Sequence, residues 1–407
     1  MSESQKARHA IQPAAAPAFS TELRVWGQQL AADYGDVLPL VVGLVVIAVI
    51  FQSQNQNFLT ARNFVNLIVQ MAGICTIAYG VVFVLLLGEL DLSVGYVSAV
   101  AAVSMALLLR DPTGWPWYAA ITLVLLIAAG IGLLHGLIIT TFQIPSVIVT
   151  LASLLAWNGV VLLIIGGSGT ILIQDPVVIG IANYFLPPVW GWLLAALIVT
   201  AAAVRYLQRK RVWARRNISG ASLLMLLMQL GLWAAVIGGV VYIANRDRGV
   251  PMVGVVLLLL LALLSSLANH TAFGRYVYAV GGNQNAAYRA GIPVGRIRVV
   301  VFMISSIMAG LGGIILAARL RSVDTAAGSG NLLFNSIAAA VIGGTSLFGG
   351  RGRVSSASLG ALMIAGMENG MGLLGLSPGL KFLITGLVLL VAVLADAATR
   401  RRRLGQG

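Results

Sequence analysis

The sequence predicts an all-α integral membrane protein, a polytopic bundle of ten to twelve spans with broken or re-entrant segments. Two observations lead to this prediction. Hydrophobic residues make up 59% of the 407 residues and charged residues only 9%, against roughly 25% charged residues in average soluble domains. The uncharged runs are also long enough to cross about 30 Å of hydrocarbon. One soluble core could not bury this much apolar surface, so we expect lipid to be the main solvent.

The spans are predicted from twelve uncharged runs along the chain. They lie near residues 37–51, 64–88, 92–109, 117–139, 144–166, 190–204, 220–244, 252–269, 299–318, 332–350, 354–376 and 380–397. The first and sixth runs are short, and the run at 332–350 contains Gly343, Gly344, Gly349 and Gly350. We therefore expect this tenth run to be broken or re-entrant.

The basic residues predict the orientation. The chain has 26 Lys and Arg against 12 Asp and Glu, a net charge of +14. If the N-terminus is cytoplasmic and every run crosses, most basic residues fall inside, chiefly in clusters at 205–216, 275–298 and 400–403. The positive-inside rule then predicts that both termini are cytoplasmic. The basic excess thus indicates orientation and not nucleic-acid binding.

One membrane domain is expected at 37–399, between a cytoplasmic N-terminal tail at 1–36 and a basic cytoplasmic tail at 400–407. Inside it, 205–219 is predicted to be a cytoplasmic basic loop and 270–298 a cytoplasmic coupling segment. The small-residue stretch of the N-terminal tail precedes the first apolar run, so that run is expected to remain as an anchor.

A faint internal repeat suggests two related halves. The Gly-rich tetrapeptide at 129–132 is followed by one at 165–168, and that at 309–312 by one at 342–345. Duplicated halves are common in transporters. Chance recurrence, with small residues serving helix packing, explains the pattern equally well.

No catalytic, metal or cofactor site is predicted. Cys75 is the only cysteine, and His135 has neither a second His nor a carboxylate at helical spacing. The chain has no Walker A loop, no His-Glu-x-x-His and no Gly-x-Ser-x-Gly elbow. The sequence therefore predicts that this chain hydrolyses no ATP and is not an enzyme.

Acids at membrane depth are the first candidates for a polar pathway, because burying a charge there is costly. Glu89 and Asp91 lie between long apolar runs. Asp91 is equally suited to cap the next helix through the amide of Ser93 or Val94, whereas Glu89 has no capping role and is the better candidate for a polar or coupling role. For Glu368, pairing with a basic residue of another helix is favoured over solute contact.

Neutral polar side chains in or beside the spans could donate and accept hydrogen bonds for a polyhydroxylated solute. These are Ser93, Asn158, Ser168, Asn331, Asn335, Thr345, Ser346 and Asn369, with Trp157 and Phe348 as aromatic rings that could stack on a sugar. Taken singly, each is more often an interhelical hydrogen bond or a packing residue.

The segment 270–298 contains the sharpest local signals. Residues 273–275 are expected to end a span, and 281–285 reads as a turn with Asn283 as an N-cap. A short helix at 286–290 should follow, ended by Gly291 in the left-handed conformation and sealed by Pro293. A capped mini-helix with little core of its own indicates a docking element for a cytoplasmic partner.

The alternative for this segment is a loop that anchors to anionic lipid. Its basic residues are Arg275, Arg289, Arg296 and Arg298. Either interpretation places the segment at the cytoplasmic surface.

Several motifs in one order resemble a known family. They are DLSVG at 91–95, IPS at 144–146 with TLA at 150–152, FGR at 273–275 with GGN at 281–283 and AGI at 290–292, and IGGTS at 342–346 with GG at 349–350. Over nearly its whole length the chain resembles the permease subunits of bacterial ATP-binding-cassette importers for monosaccharides, the ribose and xylose group. An acid at Glu89, the extra basic loop and span between Arg205 and Ala244, and the ending at 395–400 resemble the xylose branch.

The resemblance implies a monosaccharide path into the cytoplasm across the bacterial inner membrane, with a xylose-type pentose favoured. It implies a homodimer or a pair of related subunits, a periplasmic sugar-binding protein, and an ATPase subunit whose groove receives residues 283–291. The residues expected to couple to that ATPase are Gly274, Arg275, Gly281, Gly282, Asn283, Ala286, Ala287, Arg289 and Gly291. The alternative function is a proton-coupled secondary sugar transporter that uses Glu89, Asp91 or Glu368.

Overall fold

A computed structural model describes residues 37–215 and 223–404. In chain order the elements are α1 (Leu38–Gln54), α2 (Ala61–Leu86), α3 (Val94–Leu109), α4 (Trp117–Phe142), α5 (Ser146–Ile165), β1 (Thr170–Leu172), α6 (Pro176–Asn183), β2 (Phe185–Leu186), α7 (Pro188–Arg215), α8 (Leu223–Asn245), β3 (Val250–Pro251), α9 (Met252–His270), α10 (Ala272–Gly282), α11 (Gln284–Arg289), α12 (Val294–Leu320), β4 (Ser322–Asp324), α13 (Leu332–Ile342), α14 (Val354–Leu373) and α15 (Pro378–Leu404).

The all-helical prediction is confirmed. Each of the twelve predicted runs overlaps one α-helix of the described chain, and of the described α-helices only α6, α10 and α11 lie outside these runs. Of the described helices, six are long and apolar enough to cross a membrane by length and composition alone, and α1, α3 and α13 are among the shorter apolar ones. The protein is therefore a polytopic helical bundle with several short spans.

Two predicted boundaries differ from the structure. Helix α7 continues to Arg215, so the first part of the predicted loop at 205–219 is helical, and α15 continues into the predicted tail at 400–407. A run of Arg and Lys does not end a helix, because both residues have good helix propensity. The predicted tail at 1–36 and residues 216–219 and 405–407 lie outside the described residues.

Paired strands define one end of the bundle, which we call the strand end. Strand β1 pairs antiparallel with β4, and β2 pairs antiparallel with β3. The linkers that follow α5, α8 and α12 therefore lie together. The opposite end bears α10 and α11 and is called the helix-pair end.

Helix α12 is the centre of the bundle and packs against α2, α3 and α4. Small residues allow this close packing, as expected for helices in lipid. Gly132 of α4 lies against the backbone of Phe302 and Met303, and Gly136 lies against Val299. Helices α4 and α12 therefore run antiparallel.

The expectation of a broken tenth span is confirmed. Helix α13 ends at Ile342, and residues 343–353 form a non-helical linker before α14. Gly344, Gly349 and Gly350 have φ angles of +89°, +83° and +73° in this linker, a conformation that L side chains disfavour.

The proposed repeat maps onto helix pairs of opposite direction. The tetrapeptides at 129–132 and 309–312 lie on the antiparallel helices α4 and α12, and their followers lie after α5 at the strand end and after α13 at the other end. An inverted repeat would give this arrangement. The duplication itself stays a prediction.

Candidate functional site: a docking segment and two polar clusters

The corner between α9 and α10 differs from the prediction. Residues 273–275 were expected to end a span, but α9 ends at His270 and a separate helix begins at Ala272. The Thr271 hydroxyl caps it by accepting the Gly274 amide at 3.1 Å. A Cβ at Gly274 would collide with the Ala268 carbonyl, so glycine permits the corner. Gly281 and Gly282, expected in a turn, are the last residues of α10.

The short helix predicted at 286–290 is confirmed as α11. It begins two residues earlier and ends one residue earlier than predicted. The Oδ1 atom of Asn283 accepts the Ala286 amide at 2.9 Å and caps α11. Gly291 has a φ of +81°, the left-handed conformation that ends helices. Together α10, α11 and the turn to Pro293 form what we call the docking segment, residues 272–293.

Little apolar contact holds α11 in place. Ala287 is its buried residue, and it packs in a small cluster with Val280 and Val294. Tyr288 points outward with 73% of its surface exposed. Arg289 is also exposed. The outer face of α11 is thus available to a partner.

Three chain segments meet behind the docking segment. The Gly350 amide donates to the Leu86 carbonyl at 2.9 Å, which joins the linker 343–353 to the end of α2. Gly281 lies so close that a Cβ would collide with the same carbonyl oxygen. A Cβ on Gly349 would lie 2.8 Å from the Gly281 carbonyl oxygen. Glycine is therefore required at Gly281 and Gly349, because the backbones of these segments touch directly.

A second link is made by side chains. Glu89, in the linker between α2 and α3, forms an ion pair with Arg298 of α12, and both side chains are mostly buried. Arg298 also donates to Gln284 of α11 at 3.4 Å. This guanidinium thus connects the docking segment with the segment that leads to Asp91. Arg275, Arg289 and Arg296 remain exposed.

Tyr278 anchors α10 to the linker 343–353. Its hydroxyl donates to the Gly352 carbonyl at 2.8 Å. Burial raises the pKa of Tyr278 above its usual value, while the nearby Arg353 opposes that shift. The phenol therefore stays protonated and available as a donor near neutral pH.

Asp91 is the centre of a buried polar cluster. Its Oδ1 accepts the amide of Ser93 at 3.0 Å and the hydroxyl of Ser93 at 2.6 Å. Its Oδ2 accepts the hydroxyl of Ser305 on α12 at 2.9 Å. His135 is fully buried nearby and accepts from Trp157 at 3.4 Å. The N-cap of α3 is therefore Ser93 and not Asp91 as predicted, although Asp91 accepts the predicted Ser93 amide. Through Ser93 and Ser305, Asp91 joins the start of α3 to α12.

A second cluster lies near the strand end. Asn335 donates to Oε1 of Glu368, and Arg319 and Lys381 approach this carboxylate closely enough to attract it. Basic residues of neighbouring helices therefore surround Glu368, but the predicted ion pair is not formed: in the described part of the chain neither Arg319 nor Lys381 is ion-paired with this carboxylate. The Nδ2 of the neighbouring Asn369 donates to two residues of α2, Asn63 at 3.0 Å and Gln70 at 3.2 Å.

The remaining pathway candidates do not join these clusters. Asn158 is half-buried on α5, and Ser168 is exposed at the strand end. Thr345 is buried against Gly352 in the linker 343–353. Ser346 and Phe348 lie in the same linker, and Phe348 is half exposed.

Several polar residues of these clusters were missed by sequence reasoning. The sequence placed Arg298 among the basic residues of the cytoplasmic surface, and it singled out neither Arg319 nor Lys381 as a site residue. Ser305 looked like an ordinary small residue of a span. Their partners are distant in the sequence, so the sequence alone does not show that these residues lie close together in space.

The bundle, its broken helices and its buried polar clusters are those of a multi-pass membrane protein. Comparison of the sequence with known proteins identifies the family. Residues 63–393 match the family described as the branched-chain amino acid transport system / permease component, and the chain belongs to this family.

Curated relatives match almost the whole chain. The xylose transport system permease protein of Escherichia coli K12 is 35% identical over 368 residues, which is 90% of this chain and 93% of that protein. The corresponding xylose permease protein of Haemophilus influenzae is 32% identical, covering 90% and 98%. The ribose import permease protein of Bacillus subtilis is 30% identical, covering 87% and 91%. No solved structure matches significantly.

The contact behind the docking segment predicts unequal effects of two neighbouring substitutions. Gly281→Ala should lower the thermal unfolding temperature of the purified protein, because the new methyl group meets the Leu86 carbonyl. Gly282→Ala is the matched control, since a Cβ there has no neighbour within 4 Å. For Gly281→Ala we expect the free energy of unfolding to fall by about 1–3 kcal/mol. Equal unfolding temperatures would contradict the close backbone contact.

Proposed function

We propose that this chain is the non-enzymatic permease subunit of an ATP-binding-cassette importer and forms the path for a monosaccharide into the cytoplasm of a bacterium. The observation that supports it best is the docking segment, with an exposed outer face and close backbone contacts behind it. The family supports a transport role. The relatives named for xylose and ribose support a pentose, and the higher identity of the xylose proteins favours a xylose-type sugar.

The proposal assigns the helix-pair end to the cytoplasm. A cytoplasmic ATPase subunit would receive α11 with the face bearing Tyr288 and Arg289. The coupling residues named from the sequence all lie within the docking segment. The strand end would face a periplasmic sugar-binding protein. Both termini are then cytoplasmic, and the protein lies in the inner membrane. We further propose that two copies form the complete path.

The mechanism follows from how the docking segment is held. Because α11 has little apolar contact of its own, movement of a bound ATPase would displace it readily. Arg298 would transmit the displacement to Glu89, and the Leu86 contact would transmit it to the linker 343–353. Alternating access would follow from rearrangement of α2, α3 and α12.

The turn at Gly291 offers the first test. Gly291→Val should uncouple ATP hydrolysis from sugar uptake while the protein stays in the membrane, because a β-branched residue disfavours the left-handed conformation. Gly291→Asn is the matched control, since Asn tolerates that conformation. Uptake and ATPase activity are measured in membranes of equal permease content. Normal uptake by the Val variant would refute the docking interpretation.

Proteoliposomes that contain only this chain distinguish the importer from the secondary transporter. We expect no uptake of labelled xylose or ribose, even with an imposed pH gradient, because the energy source is a partner ATPase. Adding the ATPase subunit, the binding protein and ATP should establish uptake. Robust uptake driven by the gradient alone would favour proton coupling instead.

The Glu89–Arg298 pair provides a third test. Glu89→Gln should lower uptake more than it lowers the amount of protein, because it breaks the side-chain link to the docking segment. Removing one partner of a buried pair also leaves an uncompensated charge. The double variant Glu89→Gln with Arg298→Gln removes both charges and serves as the control.

Protein amount and uptake are compared in the unmodified protein, the Glu89→Gln variant and the double variant. If the pair transmits movement, the double variant should regain protein amount but not uptake. Recovery of both in parallel would show that the pair only stabilises the fold.

A further inference from the structure

A polar cavity opens at the strand end, away from the docking segment. It has two adjoining lobes of about 480 and 420 Å³. The residues that line both are Gln70, Arg319, Asn331 and Glu368. Lys381 lines one lobe, and Asn335 and Asp324 line the other. We call this space the strand-end cavity, and its size lies within the range of small-molecule sites.

The charges of the strand-end cavity balance. Glu368 and Asp324 supply two carboxylates, and Arg319 and Lys381 supply two cations. An ionic ligand would therefore gain no net attraction from the lining. A neutral ligand with both donors and acceptors would meet complementary groups on every side.

One buried side chain in the lining has unused hydrogen-bonding capacity. Asn335 is 2% exposed, and its Nδ2 is engaged by Glu368. Its Oδ1 has no hydrogen-bond partner. A buried polar atom without a partner is costly, and a ligand hydroxyl in the adjoining lobe could donate to it.

Small residues of α3 and of the linker after β4 line one wall of the cavity. Gly328 and Ser98 line one lobe, and a Cβ at Gly95 would lie 2.7 Å from the Gly328 carbonyl oxygen. Helix α3 and the linker after β4 thus touch closely. This contact lies beside the start of α3, where Asp91 accepts the Ser93 amide.

We propose that the strand-end cavity is a binding site for a neutral polyhydroxylated solute, held by Glu368, Asn335 and Arg319. The identity of the sugar and the direction of transport rest on the proposed function. In that function the cavity would receive the monosaccharide before the path opens to the cytoplasm. Carboxylate, amide and guanidinium groups together accept from and donate to vicinal hydroxyls. Because the charges of the lining balance, an acidic sugar would gain no advantage over a neutral one.

The test uses protection of a cysteine in the cavity. Asn331→Cys is introduced into the full chain in nanodiscs and treated with a membrane-impermeant maleimide. The native Cys75 is fully buried, so the unmodified protein gives the background. Leu59→Cys, at an exposed position outside the cavity, is the matched control. Labelling rates are measured with D-xylose, D-ribose or the anionic D-xylonate.

A neutral pentose should slow labelling of the Asn331→Cys protein several-fold, while D-xylonate and the Leu59→Cys control show no change. Adding Glu368→Gln should raise the half-protecting pentose concentration about tenfold, because a charged hydrogen bond is lost. Asn335→Ser is a second variant with the same expected direction, in case the first lowers the amount of folded protein.

Three results would overturn the inference: no protection by either pentose, stronger protection by D-xylonate, or equal slowing in the Leu59→Cys control. Its failure is separable from that of the proposed function. Absent protection together with ATP-dependent uptake in the reconstituted complex would refute only the cavity. Clear protection with no ATP-dependent uptake would refute only the importer.

Discussion

The hydrogen bond from the Gly350 amide to the Leu86 carbonyl, 2.9 Å long, fixes the relation between the bundle and its docking segment. The last carbonyls of a helix have no partner within it, and lipid supplies no water to satisfy them. A backbone amide from the broken tenth span therefore ends α2. Gly281 contacts the same carbonyl, and this contact is possible because glycine has no side chain. Helix α10 therefore packs directly against this junction. Movement of the docking segment thus cannot leave the junction unchanged.

Much of the fold could be predicted because lipid imposes a strong and local rule. An uncharged run must be a helix, and all twelve runs contain one. The caps of α11 could be predicted as well, since Asn283 and Gly291 act within a few residues of themselves. Helix α10 was missed because its start depends on Thr271, a cap inside what reads as one continuous segment. The strands were missed because each has only two or three residues.

The polar clusters show where sequence reasoning stops. The cost of burying charge singled out Glu89, Asp91 and Glu368 correctly as unusual residues. Their partners could not be predicted, because Arg298, Ser305 and Asn335 come from other helices. Pairing also changes what each acid can do. A carboxylate held by Arg298 is suited to connect segments, whereas one held by a neutral amide keeps capacity for a ligand.

Helix α12 connects these features physically. It carries Arg298 near its first turn, Ser305 two turns further on and Arg319 in its last turn. At 1.5 Å per residue the first and last of these lie about 32 Å apart along the axis. A helix this closely packed against α2, α3 and α4 moves as one body more easily than it bends. A shift imposed at Arg298 would therefore disturb the Ser305–Asp91 bond and reposition Arg319 in the strand-end cavity. The docking segment and the cavity need no other physical connection.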